Sequence, residues 1–479
     1  MVRITRRDFL KYCTIAAGAL GLSASTLMKL EDALAKDVSA GGIPVIWVAG
    51  AACTGCTMSL LNTVFYTTVD DLLINTLDLK YHDTAMVAAG AYVNGSQYGG
   101  TNALKAAQDM YNFDLVPTDR AALTTAGLPT AGLGGYILVV EGAIQCAKPA
   151  GASTVAGDYC RIGRMTGTSG PDTMMENVQL LAKRALAVLS VGTCSSFGGV
   201  PGAKGNATDA RGVLYKGTTR NGALLDPTVV GTTPITNVLG MPIEQATINI
   251  SGCPPHPDWI VGTIAGIVGQ IGTLSTFLQM VQADVDDVVA GSAGFPLARS
   301  SAALKAALPQ VTSYARPIDS GYGEYQCNAG PCTWRYNNIT KRAKNTDSYG
   351  LWTDNSNPYA TGPASWTGSW PPAGWTGGPA GTYPPSITYY TGDADWNPRY
   401  PTGDSKRLGR EKYTNDALGC LGILGCKGRK TKADCSRRRW NTPNAEQYGV
   451  NWCVGSRGNC HGCTEPTFPD KVGKFYTFI

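Results

Sequence analysis

Four short apolar runs in the first half of the chain limit the available folds more than any other sequence feature. Each has the length of a strand, is rich in Val, Ile or Leu, and is almost continuous rather than alternating. They span residues 44–48, 136–140, 185–191 and 246–250. Such runs are typical of strands buried on both faces of a parallel sheet. Helix-like segments at 173–184 and 257–281 lie between and after them, so the pattern predicts an open, doubly wound α/β sheet.

Three of these four predicted strands lead directly into a loop that carries cysteine. The first leads to Cys53 and Cys56, the third to Cys194 and the fourth to Cys253. Ligands of open α/β sheets bind beyond the carboxyl ends of the strands, where neighbouring loops converge. We therefore expect these thiols to face one site. Four thiolates are the usual ligand set of a [4Fe–4S] cluster, with structural zinc as the alternative; a thioredoxin-like dithiol would need only the CxxC pair.

The N-terminal segment, residues 1–35, has the features of an export signal. Two arginines, Arg6 and Arg7, precede an apolar stretch over 12–28 and a small-x-small cleavage site at 33–35. An anchoring helix is the alternative. The twin-arginine route exports proteins already folded around a cofactor, so this signal and the fifteen cysteines favour a metal cofactor over disulfides. The predicted location is the periplasm or the outer face of the cytoplasmic membrane.

The charge and hydropathy of the chain argue against nucleic-acid binding and against a membrane span. A formal net charge of +5 over 479 residues gives no reason to expect nucleic-acid binding. The segment 257–281 is apolar, but polar side chains such as Gln270 and Gln279 favour a buried core helix over a membrane span. We therefore predict no transmembrane segment in the mature chain.

Seven segments, in order along the chain, resemble the small subunit of [NiFe] hydrogenases. They are 45–56 (VIWVAGAACTGC), 81–90 (YHDTAMVAAG), 137–144 (ILVVEGAI), 192–200 (GTCSSFGGV), 248–261 (INISGCPPHPDWIV), 420–435 (CLGILGCKGRKTKADC) and 460–466 (CHGCTEP). The resemblance implies an electron-transfer subunit with three iron–sulfur clusters, acting in H2 ⇌ 2H⁺ + 2e⁻. It also implies a heterodimer with a large subunit that holds the nickel–iron site, and an external redox partner such as a cytochrome or an iron–sulfur protein.

The expected domain organisation follows from the strand pattern together with this resemblance. After the signal, residues 36–290 are predicted to form a flavodoxin-like, doubly wound domain with the proximal cluster. Residues 291–479 are predicted to form an irregular iron–sulfur domain that the medial and distal clusters stabilise. An expansion near 335–410 is rich in Trp, Gly and Pro, and is either a docking surface for a redox partner or an ordered insertion.

The resemblance places the proximal cluster on the four strand-end cysteines, which are Cys53, Cys56, Cys194 and Cys253. Oxygen-tolerant members of the family carry two additional cysteines beside this cluster. The corresponding positions here are Gly55 and Gly199. The expectation is an ordinary [4Fe–4S] centre.

The medial cluster departs from the family pattern. Three cysteines, Cys435, Cys460 and Cys463, match the ligands of a [3Fe–4S] centre in many relatives, where a proline occupies the fourth corner. Cys453 stands in place of that proline. A fourth thiolate would retain a fourth iron, so a [4Fe–4S] cluster is predicted. The alternative is that Cys453 is a free thiol and the cluster is [3Fe–4S].

The distal cluster departs as well, because no histidine lies where the family commonly has one. The three histidines of the chain, His82, His256 and His461, lie inside other motifs. The predicted all-cysteine ligand set is Cys327, Cys332, Cys420 and Cys426, with a Cys327–Cys332 disulfide and another fourth ligand as the alternative. Thiolate is anionic where imidazole is neutral, so this substitution is expected to lower the reduction potential.

Three cysteines remain, of which Cys13 lies in the predicted signal. Cys146 and Cys160 lie in a Gly-rich loop and are interpreted as a disulfide of an exported protein, or otherwise as buried thiols.

Glu141 belongs to the EGAI segment. It either lines a proton route or a contact with the large subunit, or is a structural carboxylate. The alternatives to a hydrogenase subunit are a stand-alone multi-cluster electron carrier and a secreted structural protein with disulfides or zinc.

Overall fold

The computed structural model describes residues 43–308 and 426–470 of the chain. The gaps within these ranges are 65–67, 74–76, 85–103, 113–119, 127–134, 152–154, 165–171, 272–273, 429–430, 436–439, 441–451 and 455–457. The predicted signal peptide, the expansion near 335–410 and three predicted distal ligands, Cys327, Cys332 and Cys420, lie outside the described residues.

A five-stranded parallel sheet forms the centre of the first part of the chain. Its strands are β1 (Ile43–Ala49), β2 (Leu77–His82), β3 (Tyr136–Glu141), β5 (Ala185–Val191) and β7 (Thr247–Ile250), in the order β2-β1-β3-β5-β7. The short β4 (Ile144–Gln145) and β6 (Ala210–Arg211) pair antiparallel outside it. β3 and β5 are buried along their whole length, as continuous apolar runs predict. Counted within the sheet, the order is the 2-1-3-4-5 order of flavodoxin-like folds, which confirms the predicted α/β class.

The helices lie between and after these strands. They are α1 (Gly55–Leu61), α2 (Val69–Asp71), α3 (Leu104–Asn112), α4 (Arg120–Thr125), α5 (Met174–Ala182), α6 (Thr193–Phe197), α7 (Pro227–Val230), α8 (Pro257–Ile271), α9 (Leu274–Val289) and α10 (Ala298–Ala307). α5 begins where the sequence predicts, because Thr173 and Glu176 cap each other's backbone amides.

The predicted helix over 257–281 is too short at its C-terminal end, because α9 continues to Val289. α8 is described up to Ile271 and α9 from Leu274 onward. None of the helices in the described ranges combines the length and the hydropathy needed to cross a bilayer.

The described residues fall into two compact units. The first comprises those up to Leu308 together with Pro466–Phe468, and the second comprises the others from Cys426 onward. The first unit includes α10, which is bonded to α9. Asp284 on α9 accepts hydrogen bonds from the Ser300 amide (2.7 Å) and hydroxyl (2.8 Å) at the start of α10.

Candidate metal centres

The topology brings the three cysteine loops to one edge of the sheet, the edge where β1, β5 and β7 end. The loops after β5 and β7 are bonded directly to each other. The Gly192 amide donates to the Ile250 carbonyl (2.8 Å), and the Thr193 amide donates to the Gly252 carbonyl (2.9 Å). The Gly252 amide returns a hydrogen bond to the Thr193 hydroxyl (2.9 Å). The loops that carry Cys194 and Cys253 are therefore held side by side.

The four thiols at this edge lie close enough to affect one another's ionisation. Burial, followed by the Glu141 carboxylate and the thiols of Cys194, Cys253 and Cys53, raises the pKa of Cys56 far above its usual range. Burial, together with Cys253 and Cys53, raises the pKa of Cys194 to about 12. Thiolates crowded in this way repel one another, and metal cations bound among them would remove that repulsion.

Glycines leave space beside the sulfur atoms of this site. A Cβ atom at Gly192 would lie 2.5 Å from the Cys56 Sγ, and Gly192 has a φ of +96°, which other residues rarely adopt. A Cβ atom at Gly199 would lie 2.8 Å from the Cys194 Sγ. Both positions therefore require glycine if the sulfur atoms are to keep their places.

The donor set has the chemistry of an iron–sulfur cluster site. Four cysteines are the complement of a [4Fe–4S] cubane, in which each thiolate binds a different iron. No three Cys, His, Asp or Glu side chains in the described ranges are arranged to hold a single metal ion.

A second group of cysteines lies in the second unit. Burial raises the pKa of Cys435 well above its usual range, and the Cys463, Cys460 and Cys453 thiols add to this effect, as does Asp434. The four predicted medial ligands therefore lie near one another. Cys460 is buried, and Trp452 and Val454 pack with it in a small apolar core.

Cys426, predicted to be a distal ligand, lies next to this medial group. The Cys460 amide donates a hydrogen bond to the Cys426 Sγ (3.3 Å). The Cys460 thiol contacts the Thr431 hydroxyl at 3.6 Å. Of the predicted distal set, Cys426 is the member that falls within the described residues.

The predicted disulfide between Cys146 and Cys160 is not formed in the structure, where both residues are free thiols. The Cys146 thiol instead contacts the Ile144 carbonyl (3.4 Å) inside the core. Burial raises the pKa of Cys146 to about 12, so this thiol is protonated at neutral pH and unreactive as a nucleophile.

Two family descriptions match successive parts of the chain. Residues 53–267 match the 20 Kd subunit of NADH ubiquinone oxidoreductase, and residues 399–476 match the C-terminal part of the NiFe/NiFeSe hydrogenase small subunit. Together they cover more than half of the chain.

Individual relatives align over nearly the whole chain. The periplasmic [NiFeSe] hydrogenase small subunit of Desulfomicrobium baculatum is 28% identical over 99% of this chain and 98% of its own length. The periplasmic [NiFe] hydrogenase small subunit 1 of Nitratidesulfovibrio vulgaris is 25% identical over 99% of this chain and 93% of its own. The crystal structure of the reduced, active Ni-Fe-Se hydrogenase from Desulfomicrobium baculatum aligns with 91% of this chain and 99% of its own, at 25% identity and a TM-score of 0.48. By these family matches and full-length relatives, the chain belongs to the small subunits of [NiFe] hydrogenases.

Proposed function

We propose that this chain is the electron-transfer subunit of a [NiFe] hydrogenase. It passes electrons between a nickel–iron site on a separate large subunit and an external redox partner, during H2 oxidation or proton reduction. The observation that carries the proposal is the meeting of four cysteines from three strand ends, with glycines beside their sulfur atoms. Relatives that are periplasmic hydrogenase small subunits support the same role.

The strand-end thiols would hold the proximal cluster. Iron–sulfur clusters supply one-electron carriers whose potentials depend on net charge, hydrogen bonding and exposure. A Cβ at Gly55 would lie 3.1 Å from the Cys53 Sγ, so side chains at Gly55 or Gly199 would touch ligand sulfurs. Both are glycine, which supports an ordinary [4Fe–4S] centre held by Cys53, Cys56, Cys194 and Cys253.

The second unit would hold the remaining two clusters. Cys435, Cys453, Cys460 and Cys463 are the proposed ligands of a medial [4Fe–4S] cluster, and their mutual effect on the Cys435 pKa supports this grouping. Cys327, Cys332, Cys420 and Cys426 are the proposed ligands of a distal [4Fe–4S] cluster. The Cys460 amide donates a hydrogen bond to the Cys426 Sγ, which supports a distal site next to the medial one.

An exposed apolar face next to the proximal site is the proposed contact with the large subunit. Cys53 and Cys253 are exposed, so electrons can enter the proximal site from outside this chain. Beside them, Met58 and Leu61 on α1 and Val64 just after it are exposed by 53%, 45% and 40%. A partner that covers these side chains would bring its own metal site close to the proximal cysteines.

Changing Met58 to glutamate is expected to weaken binding of the large subunit at least tenfold, about 1.4 kcal/mol. The reason is that the new carboxylate would be buried without a partner in an apolar interface. The measurement is the fraction of large subunit that co-purifies with the tagged small subunit. Val289, 44% exposed on α9, provides the matched control as Val289→Glu. Equal co-purification of the two variants would place the interface elsewhere.

The N-terminal twin-arginine pattern supports export of the assembled protein to the periplasm or the outer face of the cytoplasmic membrane. The external redox partner is proposed to be a cytochrome or an iron–sulfur protein.

The proposal is tested by purifying the chain with its partner under anaerobic conditions. The expected result is a nickel-containing large subunit in the preparation and about twelve iron and twelve sulfide per small subunit. H2-dependent dye reduction should accompany them. Clusters without a nickel-containing partner would indicate a stand-alone electron carrier, and an absence of iron would overturn the proposal.

A further inference from the structure

Glu141, the last residue of β3, lies at the sheet edge where the strand-end cysteines meet, and is only 1% exposed. Its carboxylate accepts four hydrogen bonds. The amides of Cys56 (3.1 Å) and Thr57 (3.4 Å) donate to its Oε1, while the Trp47 indole (3.0 Å) and the Thr57 hydroxyl donate to its Oε2. The carboxylate therefore binds the start of α1 at the position of a proposed iron ligand.

A second layer of contacts fixes the direction of these hydrogen bonds. The Thr84 amide donates to the His82 Nδ1 (3.2 Å), so the neutral ring carries its proton on Nε2. That nitrogen lies 3.2 Å from the Thr57 hydroxyl, which leaves the hydroxyl proton for Glu141. Burial lowers the pKa of His82, and its ring stacks on Trp47 at a centroid distance of 5.3 Å. Hydrogen-bond donors thus contact both oxygens of the Glu141 carboxylate.

The negative charge of Glu141 acts on the same thiols that form the proximal site. Its buried carboxylate is hydrogen-bonded to the amide of Cys56, at 3.1 Å, and so lies beside a proposed cluster ligand. A buried anion near a redox centre opposes the addition of an electron, because both charges lie in a medium of low dielectric constant. All four of its hydrogen-bond donors are neutral groups, so they orient the charge without cancelling it.

We infer that Glu141 is a positioning residue that fixes the first turn of α1, and with it Cys56, and whose charge lowers the midpoint potential of the cluster held by the strand-end cysteines. The inference rests on the proposed function. Hydrogen bonds and charges outside the direct ligands are known to tune metal centres in this way.

The test is an EPR-monitored redox titration of the purified heterodimer that carries Glu141→Gln. Glutamine keeps the shape of the side chain and removes its charge. The expected result is a proximal cluster that is easier to reduce. Its equilibrium constant for reduction should increase at least tenfold, which raises the one-electron midpoint potential by about 59 mV. Glu141→Asp retains the charge and is expected to stay within about threefold of the wild type. Equal shifts in the two variants, or no shift in Glu141→Gln, would overturn the inference.

Two further variants separate charge from structure. Glu176 also accepts hydrogen bonds at a helix start, from the Thr173 amide and hydroxyl, so Glu176→Gln is the matched control and should leave the proximal potential unchanged. If the heterodimer that carries Glu141→Gln fails to assemble, the Thr57→Val variant provides the test of the inference. It removes one donor to the carboxylate and should make the cluster harder to reduce, and an unchanged potential would contradict the inference. A wild-type heterodimer without iron would instead refute the proposed function.

Discussion

Replacing Gly192 with alanine is expected to remove the proximal cluster and to reduce H2-dependent dye reduction about 100-fold. The new Cβ atom would lie 2.5 Å from the Cys56 Sγ, which is well inside van der Waals contact. The backbone there cannot move freely, because the Gly192 amide is bonded to the Ile250 carbonyl. Iron analysis of the purified heterodimer should show the loss of about four of about twelve iron atoms.

Gly205 offers a closely matched control for this experiment. Its φ is +101°, against +96° for Gly192, but a Cβ atom at Gly205 would meet no atom within 4 Å. Both alanine variants therefore incur backbone strain at a positive φ, of order 1–3 kcal/mol, and only Gly192→Ala displaces a sulfur. Gly205→Ala should keep its iron and its activity. A full iron content in Gly192→Ala would show that Cys56 is not a cluster ligand.

The strands that the sequence predicts are those whose surroundings are apolar on both faces. β3 and β5 are central, so burial alone explains their composition. β2 is absent from the prediction because its sequence, LDLKYH, is mixed and only part of its length is buried, whereas β7, the other edge strand, is buried throughout. Edge strands tolerate charged side chains, and a mixed sequence of six residues does not distinguish such a strand from a loop.

The meeting of the strand-end cysteines at one edge of the sheet was predictable from the sequence, but the contacts around them were not. Cysteines at strand ends are visible in the sequence, and the parallel topology then places them at one edge. The role of Glu141 depends instead on register, because β1 and β3 pair Ala49 with Glu141 and so bring α1 to the carboxylate. The need for glycine at position 192 depends in the same way on where the Cys56 Sγ lies. Neither relation has a signature within one segment of the chain.

Replacing Cys453 with proline is expected to convert the medial cluster from [4Fe–4S] to [3Fe–4S]. Cys453 contributes to the raised pKa of Cys435, which indicates that it lies near the other three proposed ligands. Proline has no group that could bind the fourth iron. The oxidised protein should gain a [3Fe–4S] EPR signal and lose one iron per chain. The medial cluster should become easier to reduce. Its equilibrium constant for reduction should increase about 100-fold, which raises the one-electron midpoint potential by about 120 mV.

Cys453→Ala should produce the same conversion, because both variants remove the thiolate. Cys160→Ala, which removes a free thiol of the first unit, should leave the signals of the wild type unchanged. If Cys453 is not a ligand, the oxidised wild type already contains the [3Fe–4S] signal and the proline variant adds nothing to it. The comparison therefore decides whether the medial cluster has the same [4Fe–4S] type as is proposed for the other two. Such an arrangement would keep the potentials of successive carriers close together and would allow electrons to pass in either direction with little loss of free energy.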